Sequence, residues 1–350
     1  MEQNRPDIRA FTHEELKEEL KNINEKPFRA DQIYTWLHQK GVTSFDQMTN
    51  LSLKLRDTLK ETYEIYPVEM VEKLESKLDG TAKYLFRLRD GHVIESVLMR
   101  YHHGNSVCIS SQVGCRMGCK FCASTLLGLA RNMTSGEMAG QIYAIEADTG
   151  ERVSNIVVMG TGEPMDNYQE FLRFVKNISS EKGLHISQRN LTVSTCGLVD
   201  RIRELAKEKL SVTLAISLHA PNDELRKTIM PVANRYTIKE IMEACDCYFQ
   251  ETGRRITFEY SLMKGVNDTE EHAKELAQLL KGKNCHVNLI PVNPVKERSF
   301  QRTEDTDVER FKKILEKYRT NVTIRRRMGA DIDAACGQLR LKYENPEKRN

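Results

Sequence analysis

Cys115, Cys119 and Cys122 set three thiols within eight residues, in the stretch Val113-Gly-Cys-Arg-Met-Gly-Cys-Lys-Phe-Cys122. A loop of that length can fold all three inward onto one metal centre, because the thiolate is a strong ligand for soft and borderline metals. A structural zinc ion is one reading. Closed zinc sites use four ligands, commonly as two C-x2-C pairs, and no second pair with that spacing exists here. Three ligands leave one coordination position open, which points to catalysis or cofactor binding. The chain has nine cysteines, an odd number. In a reducing compartment they read as metal ligands or reactive thiols rather than structural disulfides.

Other candidate chemistry sits directly behind apolar runs. Gly160-Thr-Gly-Glu-Pro164 follows Ile156-Met159, Ser194-Thr195 closes Leu191-Ser194, Ser217-Leu-His219 ends Val212-Leu218, and Asn293 follows His286-Ile290. Singly, each suits a turn or a structural strand end. On successive strands of a β/α fold they share the C-terminal face, where active sites are assembled. Cys108, in Cys108-Ile-Ser-Ser-Gln-Val-Gly114, and Cys336, in Gly329-Ala-Asp-Ile-Asp-Ala-Ala-Cys-Gly-Gln338, stand outside the triplet. Alone, either reads as a small buried hydrophobe.

The elements that must position these residues fall into two patterns. From about residue 105, strand candidates alternate with helices: Val107-Ser111, Ile156-Met159, Leu191-Ser194, Val212-Leu218, Ile256-Leu262, His286-Ile290 and Val322-Arg325, with helices opened by Thr134 and Glu137 and over Glu271-Leu280. Repeated β-α units imply a parallel sheet, doubly wound or closed toward a barrel. Earlier, Thr12 and Glu15 form a capping box, a second helix starts near Pro27, and a third runs through Leu51, Leu55 and Leu59. A hairpin follows, with Tyr84, Phe86 and Leu88 alternating, Asp90-Gly91 at the turn, and Val93, Glu95, Val97 and Met99 returning. This divides the chain into an accessory module over residues 1–100, a β/α body over 101–340 and a polar tail over 341–350.

Composition narrows the class. The chain has 350 residues, 39% hydrophobic and 29% charged, the balance of a folded globular protein. No stretch approaches the ~18 apolar residues of a membrane span, and the N-terminal stretch has no signal-peptide core, so the cytoplasm is the expected location. The net charge of +3 does not by itself announce a nucleic-acid binder. Residues 1–95 carry 15 Lys+Arg and 18 Asp+Glu, a net of −3, leaving +6 on the remainder. A basic patch, if present, belongs to the β/α body.

The C-x3-C-x2-C triplet, with Phe121 before its last cysteine, resembles the radical S-adenosylmethionine (SAM) enzymes. That resemblance implies a partial (β/α)6 barrel of the TIM type, with Cys115, Cys119 and Cys122 holding a [4Fe–4S] cluster whose free iron chelates SAM. Gly162 and Glu163 would meet the SAM amino group. Ser194, Ser217, Leu218, His219 and Asn293 would hold its carboxylate, ribose and adenine.

With Cys108 and Cys336 included, nearly the whole chain, from about Arg29 to Leu339, is similar to the dual-specificity RNA methyltransferases of the RlmN/Cfr family. The resemblance implies methylation of carbon 2 of an adenine in 23S rRNA, at two SAM per turnover. One SAM would methylate Cys336, a thiolate being a good nucleophile where adenine C2 is not. The second would yield the radical that activates this methyl group for attack on the ring. Cys108 would then resolve the Cys336–RNA adduct, leaving a transient Cys108–Cys336 disulfide. Glu95 matches the family's proton acceptor; without the resemblance it reads as a solvated strand carboxylate.

Two rival functions stay open on the sequence. Cfr-type members methylate carbon 8 of the same adenine; Pro164 after Glu163 is similar to the C2 enzymes, where C8 enzymes tend to carry Ala. A zinc-binding, RNA-associated scaffold would be colourless and would not cleave SAM. For RNA contact, Arg325-Arg-Arg327 and Arg254-Arg255 are candidates beside the plain reading of solvated charge runs. The resemblance also brings tRNA as a second substrate in some members, RNA engagement by the N-terminal module, and flavodoxin with its reductase as the usual electron donor. A monomer is the expected state, with no membrane partner.

Overall fold

The computed structural model describes residues 5–332 and 338–344. Cys336 therefore lies outside the described residues.

The N-terminal module is three short helices, α1 (His13–Asn22), α2 (Arg29–His38) and α3 (Leu53–Thr62). Thr12 caps α1 through the Glu15 amide while the Glu15 carboxylate returns to the Thr12 amide, the capping box legible in the sequence. Leu16, Leu20, Ile33, Leu37, Leu55 and Leu59 close into a core of their own. The module is fastened to the body by buried polar contacts. His38 Nδ1 lies 2.8 Å from the Tyr143 hydroxyl, and Tyr34 donates to Asn177 Oδ1 at 3.0 Å.

Strands β1 (Glu69–Glu75), β2 (Ala82–Arg87) and β3 (Val93–Tyr101) form an antiparallel meander, and β3 pairs antiparallel with β4 (Gly104–Cys108). A short ribbon, β5 (Gln112–Gly114) and β6 (Leu129–Asn132), stands apart from the main sheet. Then follow α4 (Ser135–Thr149), β7 (Val153–Val158), α5 (Tyr168–Ser179), β8 (Leu191–Thr195), α6 (Val199–Lys207) and β9 (Thr213–Ser217). The chain continues through α7 (Asp223–Ile229), α8 (Ile238–Thr252), β10 (Ile256–Leu262), α9 (Glu270–Leu279), β11 (Cys285–Pro291), α10 (Asp305–Lys317), β12 (Val322–Ile324) and α11 (Gln338–Glu344).

Among the described residues the main sheet has ten strands in the order β1-β2-β3-β4-β7-β8-β9-β10-β11-β12. From β4 to β12 every neighbouring pair is parallel, and each of the six crossovers carries at least one helix, giving the (β/α)6 arrangement. The hairpin extends this same sheet. The strands are apolar on the face that the helices cover, as Ile156, Val193, Leu214, Ile216, Phe258 and Leu289 are. They pack against Ile142, Phe171, Ile202, Ile241, Leu276 and Phe311 in one core.

The strand expected over 107–111 runs earlier. Ile109 still donates to the Val157 carbonyl, but the Ser111 and Gln112 amides turn to the Thr161 carbonyl and end the ladder. Residues from β3, β4, β11 and β12 line a single cleft, so the parallel part of the sheet curls until β4 and β12 lie on either side of one space.

Candidate active site

The cysteine loop is held at its base by the β5–β6 ribbon. Gly114 has φ +84° and no room for a side chain, since an added Cβ would sit 1.9 Å from the Gly128 carbonyl. The Cys115 amide donates to that carbonyl. Farther along, Thr125 Oγ1 donates to the Cys119 and Cys122 carbonyls, and Arg298 donates to Cys122 O and Thr125. All three cysteines line one cavity of about 140 Å³. Burial pushes the Cys115 thiol up to about 12. Burial likewise raises Cys119, and the neighbouring Cys122 and Cys115 add to it. Three thiols facing one space oppose each other's ionisation until a cation compensates.

The strand-end motifs line the same cavity, with Gly162, Glu163, Ser194, Ser217 and His219 on its wall. Gly162 has φ +113°, and a Cβ there would collide with Gln112. That close approach lets Gln112 Oε1 accept the Glu163 amide at 2.8 Å. The Glu163 carboxylate is buried and accepts the amides of Cys196 at 2.7 Å and Met165 at 3.0 Å; burial raises its pKa. Ser194 and Ser217 bring their hydroxyls within 3.3 Å of each other across β8 and β9.

His219 adopts a left-handed backbone (φ 58°) and is buried. Its Nδ1 accepts the Ser261 amide at 2.9 Å, so in the neutral ring the proton sits on Nε2. Burial, with Arg226 nearby, pushes its pKa down to about 3, which keeps the ring neutral. Phe121 packs edge-on against it, ring centres 5.0 Å apart. Leu218 is fully buried behind this wall.

Two further spaces continue outward. One of about 220 Å³ shares Cys122, Ser194, Ser217 and His219 with the first and adds Glu259, Asn293 and Arg325. It adjoins the cleft of about 420 Å³ between β3–β4 and β11–β12, which shares Asn293 and Arg325 and adds Cys108, Arg302, Arg326 and Arg327. Cys108 lies directly opposite Val97 in the β3–β4 register. Side chains two apart on a strand share a face, so Glu95, Val97 and Cys108 lie on one side of the sheet. Glu95 is buried, with Oε2 3.2 Å from Lys83 Nζ and Oε1 accepting the Arg340 amide at 2.6 Å.

A (β/α)6 sheet with three cysteines on a loop at the carboxyl end of its first parallel strand defines a radical SAM enzyme, and residues 109–280 match the family described as the radical SAM superfamily. Residues 7–65 match the ribosomal RNA large subunit methyltransferase N-terminal domain. The chain is 64% identical over 337 residues to a probable dual-specificity RNA methyltransferase RlmN of Lachnoclostridium phytofermentans, covering 96% of this chain and 95% of the relative. To its counterpart in Desulforamulus reducens it is 54% identical, with 98% of each covered. A crystal structure of a radical SAM methyltransferase from Sphaerobacter thermophilus superposes with a TM-score of 0.90 at 44% identity, over 95% of this chain and 98% of that one. The chain belongs to the RlmN family of radical SAM methyltransferases.

Its cofactors are accordingly a [4Fe–4S] cluster and SAM. The residues present fit them. Three cysteines face one cavity, a thiolate donor set of the kind that holds an iron–sulfur cluster. Beside them the buried Arg226 leaves Nη1 with no hydrogen-bond partner, and its charge is felt at Cys119.

The geometry thus brings together the cysteine triplet, Gly162, Glu163, Ser194, Ser217 and His219, and links them through Asn293 to Cys108. Cys336 lies outside the described residues. Arg254 and Arg255 fall elsewhere: they precede β10, and Arg254 donates to Thr213 at the start of β9, the opposite end of the strands from the cavity. Arg226 escaped the sequence reading. Its guanidinium is buried and donates to the carbonyls of Leu218, Cys196 and Ser217, lacing together the ends of β8 and β9. In Asp-Glu-Leu-Arg it looks like a solvated helix charge, and nothing in the pattern distinguishes it. Cys196, assigned no role from sequence, also lines the cavity.

Proposed function

We propose that this chain methylates carbon 2 of an adenine in 23S rRNA through a methylated cysteine, Cys336. The observation that carries the reading is the continuous path from the cysteine cavity, past Asn293 and Arg325, to the cleft holding Cys108 and the exposed arginines. Cys115, Cys119 and Cys122 would hold the cluster, and Gly162, Glu163, Ser194, Ser217, Leu218, His219 and Asn293 would hold SAM, whose reductive cleavage would supply a carbon-centred radical.

The remaining roles belong to this chain's own side chains. Cys336 presents a methyl thioether; one C–H bond of that methyl breaks, the hydrogen atom going to the SAM-derived radical, and the carbon then bonds to adenine C2 and ties the RNA to the protein. Glu95 accepts the proton lost from the ring carbon. Cys108 attacks the Cys336 sulfur: an S–S bond forms, the S–C bond breaks with its electron pair on the former methylene, and protonation there completes the methyl group. Thiol–disulfide exchange with a reductant restores both cysteines. An adenine within folded rRNA must be extruded to reach such a site. Arg302 and Arg325 to Arg327 supply phosphate contacts at the mouth of the cleft. Residues 7–65 engage the RNA, and a tRNA anticodon-loop adenine is the second substrate class. The enzyme acts as a cytoplasmic monomer, with flavodoxin and its reductase as electron donor. No helix among the described residues is long and apolar enough to cross a membrane.

The test is an anaerobic assay on rRNA with product analysis by mass spectrometry. It should give 2-methyladenine, with one S-adenosylhomocysteine and one 5′-deoxyadenosine per methyl group. Cys108→Ala should trap RNA bound to Cys336. Formation of 8-methyladenine would overturn the C2 assignment, and a colourless zinc protein without SAM cleavage would overturn the enzyme reading.

A further inference from the structure

Lys83 has no part in the scheme above. It sits on β2 with its side chain 0% exposed, among the buried Ala82, Tyr84, Leu85 and Phe86. An ammonium group taken out of water costs several kcal/mol unless it is paired. Its Nζ lies 3.2 Å from Oε2 of Glu95, itself only 4% exposed. In the β2–β3 register Lys83 faces Val97 and Leu85 faces Glu95. Lysine and glutamate are therefore diagonal neighbours on one face, within reach for long side chains. The other carboxylate oxygen accepts the Arg340 amide. One oxygen on an ammonium and one on an amide fix the orientation of the carboxylate.

Stability alone is a poor reason for such a pair. Apolar residues of similar volume usually replace a buried ion pair without loss, and the neighbouring positions are already apolar. The pair lies on the face that carries Cys108, where an oriented carboxylate has chemical use.

We propose that Lys83 is a positioning residue for RNA methylation: its ammonium, 3.2 Å from Oε2, holds the Glu95 carboxylate in place as the acceptor of the proton that must leave the ring carbon. The inference rests on the reading of Glu95 as proton acceptor. In that step the ring C–H bond breaks, its proton forms an O–H on Glu95, and the bonding pair stays in the ring. The odd electron of the adduct would pass to a one-electron acceptor, the oxidised iron–sulfur cluster that Cys115, Cys119 and Cys122 would hold. Lys83 itself neither gains nor loses a proton.

The experiment compares Lys83→Met, Lys83→Gln, Lys83→Arg and Glu95→Gln, each matched to wild type for iron content, in anaerobic single turnovers. The substrate is rRNA carrying hydrogen or deuterium at the target carbon. Two quantities are read: 5′-deoxyadenosine formed per methylated adenine, and the deuterium isotope effect on methylation. Lys83→Met and Lys83→Gln should raise the first by about fivefold or more and unmask a primary isotope effect, while Lys83→Arg stays near wild type. A merely structural lysine would lower both products together and leave the ratio unchanged. If Glu95→Gln shows both signatures and neither Lys83→Met nor Lys83→Gln does, the role of Lys83 is overturned. If Glu95→Gln shows neither, the reading of Glu95 fails, and the role of Lys83 with it.

Discussion

Asp331 accepts the Ser76 hydroxyl on Oδ1 at 2.6 Å and the Lys77 amide on Oδ2 at 3.0 Å. The Ser76 hydrogen bond holds the Asp331 carboxyl below its ordinary range. Two residues earlier, the Gly329 amide donates to Asp79 at 3.0 Å. On the far side of Cys336, Arg340 is bonded to Glu95 and Tyr343 to Arg87. The described residues on either side, Gly329 and Asp331 before Cys336 and Arg340 and Tyr343 after it, are thus tied to the β1–β3 meander, the part of the sheet that also carries Glu95. Asp331→Ala removes one of these ties while leaving the cluster loop untouched. Methylated RNA should fall by about tenfold, because small misplacement of a reacting group is costly, while anaerobic SAM cleavage stays near wild type. Equal loss of both products would show that the contact acts on the whole fold.

Cys119 and Cys196 line the same cavity, but only Cys119 belongs to the triplet. Cys119→Ala should yield a protein with little bound iron and no 5′-deoxyadenosine, since one of three thiolate ligands is lost. Cys196→Ala should keep its colour and iron, because Cys196 stands outside the triplet and its backbone amide, which alanine retains, still holds Glu163 when the thiol's own hydrogen bond to that carboxylate is lost. Iron analysis and visible spectra after anaerobic purification decide between the two. Iron loss in Cys196→Ala to the level of Cys119→Ala would make the fourth thiol a ligand in its own right.

Much of this site was legible because chemistry at strand ends follows simple rules. The triplet, the Gly160–Pro164 loop, Ser194 and Ser217-Leu-His219 were found by type and position, and they do converge. The capping boxes at Thr12 and Thr134 marked two helix starts correctly. What stayed hidden is what tertiary pairing alone decides. Strand β1 has a largely exposed pattern without clean alternation, and β5 and β6 are only three and four residues long. Lys83 interrupts the apolar alternation of Ala82, Tyr84 and Phe86, so it reads as the solvent side of a hairpin. It is buried because α11 covers that face, with Leu339 packed against Leu85 and Val93.

Arg226 ties three carbonyls at the floor of the cavity. Hydrogen bonds from a charged donor contribute about 1.5–3 kcal/mol each, and a buried acceptor left without one costs about as much again. Arg226→Met should therefore destabilise the protein by about 3–5 kcal/mol, read as a lower denaturant midpoint at unchanged m-value. Lysine at this position can reach only part of that set, so Arg226→Lys should fall between the two. A midpoint for Arg226→Met within error of wild type would mean that water replaces the guanidinium and that the carbonyls do not depend on it.

Asp7 gives the fold a pH dependence whose sign is fixed by its burial. Burial raises its pKa from 3.8 to about 7, against the opposing charge of Arg9. Between about pH 4 and 7 the folded protein holds a proton that the unfolded chain has released, so stability falls as pH rises through that window and levels off above it. His38 works in the other direction. Burial lowers its pKa from 6.5 to about 3, so its contribution is lost as pH falls below 6.5. The two oppose each other in mildly acidic solution, and the wild-type profile alone would hide both. Asp7→Asn separates them: asparagine stays neutral and keeps an acceptor oxygen for the Arg9 and Tyr66 amides. The melting temperature of Asp7→Asn minus that of wild type, in which the His38 contribution cancels, should be near zero at pH 4. It should grow to about 5 °C by pH 7 and stay constant to pH 8. A difference that does not vary with pH over this range would place the ionisation of Asp7 in the ordinary carboxylate range and remove the penalty.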